Sequence, residues 1–342
     1  MNRIPTLDGW RGIAILLVMF DHTQRALTGG YLHPWLVTGQ HGVTVFFVLS
    51  GFLITTKLLE GPIDLRSFYT RRFFRLIPVA WAYLIAVWLF GRLYGVNCFS
   101  FQDVASCVFF FRNLVINPHL SIFTIHFWSL SMEEQFYIVW PCILLLAGAR
   151  KAGAVAGAGA LACAVFRFTH WSHYNRMSFA FETQVRVDAL LIGCLLGLSL
   201  HNPAIRRAAV KWSKVCALPA FCVLLACIAA FQWLPPLVEC IAIAALIAAS
   251  TLHPDSLFAR PLSLRPLAWL GTVSYSLYVW QQFFFITRSH SATIAMMCVM
   301  PLFALGSYYF IERPATRFGR RLTSVPAREV AEKNPAVILA KA

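Results

Sequence analysis

Ten apolar windows of the length needed to cross a bilayer recur along this 342-residue chain, and they limit its fold more than anything else in it. A helix needs about 20 mostly apolar residues to span the hydrocarbon layer. Within lipid every backbone N–H and C=O must also be satisfied inside the segment. The predicted spans are 12–28, 42–59, 77–94, 127–147, 152–168, 184–200, 213–232, 235–251, 270–288 and 292–312. The expected fold is an all-α integral membrane protein, with about ten transmembrane helices in one bundle. Only 13% of the residues are charged, roughly half the share found in soluble domains, which excludes a soluble globular protein. No short apolar stretch precedes a small-residue cleavage site, so the first span is expected to stay as an anchor.

The formal charge of +15 points to membrane topology rather than to nucleic acid. With the N-terminus in the cytosol and the loops assigned by alternation, 22 of the 29 basic residues fall inside. That asymmetry is the one expected of a multi-pass protein with both termini cytosolic. Residues 1–318 form the predicted transmembrane domain, and 319–342, basic and then polar, a mobile cytosolic tail. The ten cysteines show no C-x-x-C pair and sit mostly in apolar runs. They read as small core residues, and no metal is expected.

Ionisable groups inside these spans are costly and normally face a cavity or a partner. Arg11 and His22 lie eleven residues apart, close to a whole number of turns. They share one helix face about 16 Å apart along the axis. An anchor arginine with a packed histidine, or a functional pair, both fit. Ser50-Gly51 in the second span reads first as a close helix contact, and His41 just outside that span as a loop residue. Arg71, Arg72 and Arg75 cluster at the inner interface with Tyr69, Phe73 and Phe74. They suit either anionic lipid or a phosphate-bearing cofactor, whose geometry guanidinium forks match. Glu133 and Glu134 lie in an otherwise apolar helix and suit an ion pair or catalysis equally. Further polar points are Arg186, Asp188, Glu239, Tyr275, Tyr278 and Glu312. Glu312-Arg-Pro314 reads as a helix stop, and His170 with His173 as solvated loop residues. The run 103–117 is a possible partly inserted helix.

Seven stretches in order carry a resemblance to the acyltransferase-3 family of integral membrane acyltransferases. They are Leu7-Asp-Gly-Trp-Arg-Gly with Arg11-x10-His22, Val45-Phe-Phe-Val-Leu-Ser-Gly-Phe-Leu-Ile54, and Arg71-Arg-Phe-Phe-Arg-Leu-Ile-Pro78. Trp128-Ser-Leu-Ser-Met-Glu-Glu-Gln-Phe-Tyr137, Arg186-Val-Asp-Ala-Leu-Leu-Ile-Gly193, Val273-Ser-Tyr-Ser-Leu-Tyr-Val-Trp280 and Ile311-Glu-Arg-Pro314 complete the set. Two positions depart from the family pattern: Thr44 replaces the usual aspartate, and Gln281 a common histidine. The chain resembles the stand-alone form, without a fused esterase-like domain.

The resemblance implies O-acyl transfer, most often of acetyl, from cytosolic acetyl-CoA or another acyl-CoA to a hydroxyl of a cell-surface or lipid-linked carbohydrate. It implies a multi-pass protein of the bacterial inner membrane, in contact with membrane lipid and with no nucleic-acid partner. His22 is the expected general base, with Arg11 and Glu133 also catalytic. Arg71, Arg72 and Arg75 would hold acyl-CoA, and Glu134, Arg186, Asp188 and Tyr275 the acceptor, with Glu133 and Glu134 toward the outer side. The alternative from a different class is a non-enzymatic transporter or flippase of a glycan or small molecule.

Overall fold

A computed structural model of the chain describes residues 4–28, 37–115, 121–170, 181–229, 236–285 and 290–323. Helices supply nearly all of the regular structure, and no strand occurs among the described residues. In chain order they are α1 (Pro5–Thr28), α2 (Gly39–Leu59), α3 (Leu65–Tyr94), α4 (Phe101–Val108) and α5 (Phe127–Thr169). There follow α6 (Thr183–His201), α7 (Pro203–Ala229), α8 (Pro236–Leu252), α9 (Arg265–Phe284), α10 (His290–Ser307) and α11 (Arg313–Leu322). A π-helical turn at Tyr308–Glu312 joins the last two.

Every predicted span overlaps a helix. Spans 127–147 and 152–168 become the two limbs of α5, which breaks at Gly148. There φ is +71° and ψ 166°, a backbone region that glycine enters without a Cβ clash. Six helical segments among the described residues are long and apolar enough to cross a membrane: Gly39–Leu59, Leu65–Tyr94, Phe127–Thr169, Thr183–His201, Pro203–Ala229 and Ile294–Leu322. α8 is shorter, at 17 residues, and α1 carries Asp8, Arg11, Asp21 and Arg25 along its length. The chain is a multi-pass, all-helical membrane protein. Its exposed large apolar side chains, such as Trp81, Ile85, Trp88 and Leu89 on α3, form the surface offered to lipid.

Close backbone approach holds the bundle together, as expected where lipid removes the hydrophobic drive between helices. A Cβ on Gly51 would lie 2.0 Å from the Leu190 carbonyl oxygen, and one on Gly193 2.1 Å from that of Val48. α2 and α6 therefore meet through these two glycines. α1 and α9 meet in the same way, since a Cβ on Gly271 would lie 1.8 Å from the Asp8 carbonyl oxygen. Trp10 Nε1 donates to Ser250 at 3.0 Å and Trp140 Nε1 to Thr55 at 2.8 Å, so these two buried indoles are satisfied across helix pairs.

Asp64 caps α3, its side chain accepting from the Ser67 amide at 3.1 Å; hydrogen bonding from the Ser67 hydroxyl, then from that amide, draws the carboxyl below its ordinary range. The amphipathic arginine segment and the span behind it form one continuous helix through Pro78. The described part of the run, 103–115, holds most of the short α4 and a single 3-10 turn at Arg112–Leu114, tied to α4 by Arg112 and Asp103 at 2.8 Å. One expectation is corrected. His41 is no loop residue: α2 begins two residues before it, and the buried imidazole lies 2.9 Å from Glu239 of α8. The chain also stays helical past residue 318, because α11 packs on α3 through Phe318 and Phe74, rings 5.1 Å apart. Residues 324–342 lie outside the described residues, as does His173.

Candidate active site

Helical spacing puts polar side chains of three helices on inward faces. His126 caps α5, and Ser129, Glu133 and Tyr137 follow at intervals of three and four residues on one face. Tyr275, Tyr278 and Gln281 recur every three residues along α9. Arg11 and His22 share a face of α1. Together they form a column through an apolar bundle, with an arginine end and a histidine end.

At the arginine end, Arg11 pairs with Asp8 at 3.6 Å and lies in electrostatic range of Arg75, Arg72 and Tyr137. The Arg72 guanidinium stacks 3.9 Å from the centre of the Tyr137 ring, a cation–π contact. Glu133 accepts a hydrogen bond from Ser50, with Arg72, Arg11 and Arg75 around it. Glu134 faces Arg72, Glu133 and Arg75. Tyr275 donates to the Leu76 carbonyl at 2.7 Å. Ser276 donates to Glu312 at 2.6 Å, and Glu312 in turn faces Arg75 and Arg11.

At the histidine end, His22 Nδ1 lies 3.3 Å from Gln281 Oε1, and the ring sits 6.1 Å from that of Phe285. His126 is within electrostatic range of His22, and its Nε2 donates to the Val279 carbonyl at 3.1 Å. Tyr83 and Tyr278 flank its ring, with centroids at 5.3 and 5.8 Å. The Tyr278 hydroxyl, 2.6 Å from Ser129 Oγ, joins the two ends, since it lies in range of Glu133 as well.

Of the residues singled out in the sequence, the column gathers Arg11, His22, Arg72, Arg75, Glu133, Glu134 and Tyr275. Glu133 and Glu134 face the arginines, about two turns of α5 beyond His126. Arg71 is turned away and exposed, donating from Nε to Thr323 Oγ1 at 2.7 Å, so it fastens α11 to α3. Arg186 and Asp188 belong to a second cluster. Arg186 donates to Gln40 and Asp188 accepts from Arg167 at 2.5 Å, beside a small cavity that Thr44 also lines. Among the described residues no three His, Cys, Asp or Glu side chains gather into a metal-binding group, and all ten cysteines are free. The sequence reading left out His126 and Tyr137 and took Ser50 for a packing residue. The spacing His126, Glu133, Tyr137 was the signal for two of these, whereas Ser50 has none in sequence.

A family profile described as an acyltransferase domain matches residues 4–312. The chain belongs to this family. Its relatives include the Bacillus subtilis protein YrhL, 31% identical over 93% of the chain and 56% of the relative. The peptidoglycan O-acetyltransferase OatA of Listeria monocytogenes is 28% identical over 81% of the chain and 48% of the relative. The O-acetyltransferase OatA of Staphylococcus aureus is 28% identical over 92% and 58%. The chain thus spans about half the length of the curated relatives it matches. No solved structure matches it.

Proposed function

We propose that this family member is a membrane O-acetyltransferase that moves an acetyl group from acetyl-CoA to a hydroxyl of a cell-surface glycan. One observation carries the reading: a polar column crosses an apolar bundle, with guanidiniums at one end and an imidazole at the other. Arg11, Arg72 and Arg75 would hold the phosphates of the donor, since guanidinium forks suit phosphate oxygens. Glu133, held by Ser50, and Glu134 keep those arginines in place at the mouth. The acyl arm would run along Tyr278 to His22, about 16 Å further by helical rise. There the imidazole, as general base, takes the acceptor's proton as its oxygen attacks the thioester carbon. Collapse of the tetrahedral intermediate breaks the carbon–sulfur bond, and the proton passes to the leaving thiolate.

The arginine end would face the cytosol, where acyl-CoA is made. That orientation requires ten spans with both termini inside, each limb of α5 crossing once, in a bacterial inner membrane. The relatives named as peptidoglycan O-acetyltransferases favour a peptidoglycan sugar as the acceptor.

The test is label transfer from radioactive acetyl-CoA to N-acetylglucosamine oligosaccharides by the full chain in lipid nanodiscs. The expected result is a labelled ester with release of CoA; neither ester nor CoA would end the proposal. Reporter fusions at residue 175 and after residue 342 should lie on opposite sides of the membrane. A shared side would reject the ten-span topology.

A further inference from the structure

His22 is held from the far side of the bundle by a residue the family resemblance does not assign, and that contact has chemical consequences. An amide oxygen carries lone pairs only, so the 3.3 Å approach of Gln281 Oε1 to His22 Nδ1 requires the proton on Nδ1. The neutral ring then presents its lone pair at Nε2. The distance is at the long end for such a bond, as is common at reaction centres before substrate arrives. Gln281 is fully buried, at 0% exposure, yet among the described residues its amide Nε2 has no partner. Because the amide is rigid and planar, this N–H stays about 2–3 Å from the oxygen that touches His22, and so beside the same ring. A buried donor left unpaired is costly and points to a ligand.

A second atom, at the start of α5 and against the same stretch of α9, says the same. His126, 3% exposed, gives its Nε2 proton to the carbonyl of Val279. Its Nδ1 is therefore a bare acceptor, and it too has no partner. Beside His22 the protein thus offers the Gln281 amide as a donor and the ring's own Nε2 as an acceptor, with the His126 acceptor nitrogen in electrostatic range. A carbonyl oxygen together with hydroxyl protons complements that set.

We infer that Gln281 has two tasks: it positions His22 in the Nδ1–H form, and it donates its free N–H to the carbonyl oxygen of the transferred acyl group. The inference rests on the acyl-transfer reading above. As the acceptor oxygen bonds to the thioester carbon, its proton goes to His22 Nε2, and the carbonyl electron pair moves onto oxygen, to which the Gln281 N–H donates a hydrogen bond. The pair then returns, the carbon–sulfur bond breaks, and the imidazolium returns the proton to the thiolate. A histidine at 281, the residue the family pattern carries there, has one ring nitrogen to donate and one to accept. Glutamine supplies both functions through a single rigid amide.

Histidine-selective 15N NMR on the full chain in nanodiscs tests the first task, with His22 assigned by difference from His22→Ala. The wild type should show His22 protonated at Nδ1 and bare at Nε2. Gln281→Glu keeps an acceptor and should preserve that form, and Gln281→Leu should lose it. For the second task, transfer from acetyl-CoA to N-acetylglucosamine oligosaccharides should fall in kcat by about 10²-fold in Gln281→Glu, the usual effect of removing an oxyanion donor. KM for acetyl-CoA should change by less than about threefold, since the donor acts in the transition state. A wild-type His22 protonated at Nε2, or a tautomer that Gln281→Leu leaves unchanged, overturns the positioning role. A kcat in Gln281→Glu within about threefold of wild type overturns the carbonyl contact. Should the wild type release no CoA at all, the acyl-transfer reading falls and takes the carbonyl contact with it; the NMR result still decides the Gln281–His22 pair by itself.

Discussion

Arg167 and Asp188 face each other at 2.5 Å, and Arg167 also donates to the Val185 carbonyl at 2.6 Å; in the column, by contrast, Gln281 Nε2 and His126 Nδ1 are equally buried and have no partner among the described residues. Both groups of residues are polar, and both are enclosed by helices. In the first, each charge is matched by a neighbour, which links the end of α5 to the start of α6. In the second, donors and acceptors are presented to a space where another molecule would complete them. Burial alone does not mark a reaction centre in a membrane bundle; an unpaired buried amide set directly against a candidate base distinguishes this one.

The comparison can be broken from either side. Arg167→Leu should have the largest effect, a loss of about 3–5 kcal/mol, because it leaves a buried carboxylate unpaired. The double variant with Asp188→Leu should recover most of it in thermal unfolding in detergent. If both singles instead fold normally and lose only transfer activity, this cluster binds substrate and the contrast fails. Arg72→Ala with Arg75→Ala should next raise KM for acetyl-CoA by about 10²-fold or more, given two charge-assisted contacts of about 1.5–3 kcal/mol each. Unchanged acetyl-CoA binding by calorimetry would return them to lipid anchoring. Ser50→Ala should lower kcat/KM about tenfold by freeing Glu133, at the weak end of that same range. No change would return Ser50 to the packing role its neighbour Gly51 plays. Arg71→Ala, tied to Thr323, should stay within about twofold in KM, as exposed contacts of this kind contribute little.

Much of this was legible in the chain before its fold. Apolar windows located the helices because lipid permits little else, and the eleven-residue spacing put Arg11 and His22 on one face because 3.6 residues make a turn. The arginine segment was visible too, but which of its three arginines turns inward depends on where α11 docks. Gln281 could not be read as a partner of His22: they lie 259 positions apart, and only the crossing of α1 and α9 at Gly271 brings them together. His41 was misplaced for a related reason. A polar residue before an apolar run looks like a loop until Glu239 of α8 is seen to satisfy it. Local periodicity thus gives faces and element limits, whereas pairing across helices is a property of the packed bundle.

The central claim is that the imidazole of His22 performs the proton transfer partway up this column. It is tested most directly by comparing wild type and His22→Ala, reconstituted at equal amounts in nanodiscs, for transfer of radioactive acetyl from acetyl-CoA to N-acetylglucosamine oligosaccharides. The variant should insert and bind acetyl-CoA as the wild type does, while its transfer rate falls by about 10²–10⁴-fold, the range for loss of a general base. Transfer at the wild-type rate by His22→Ala would contradict the account.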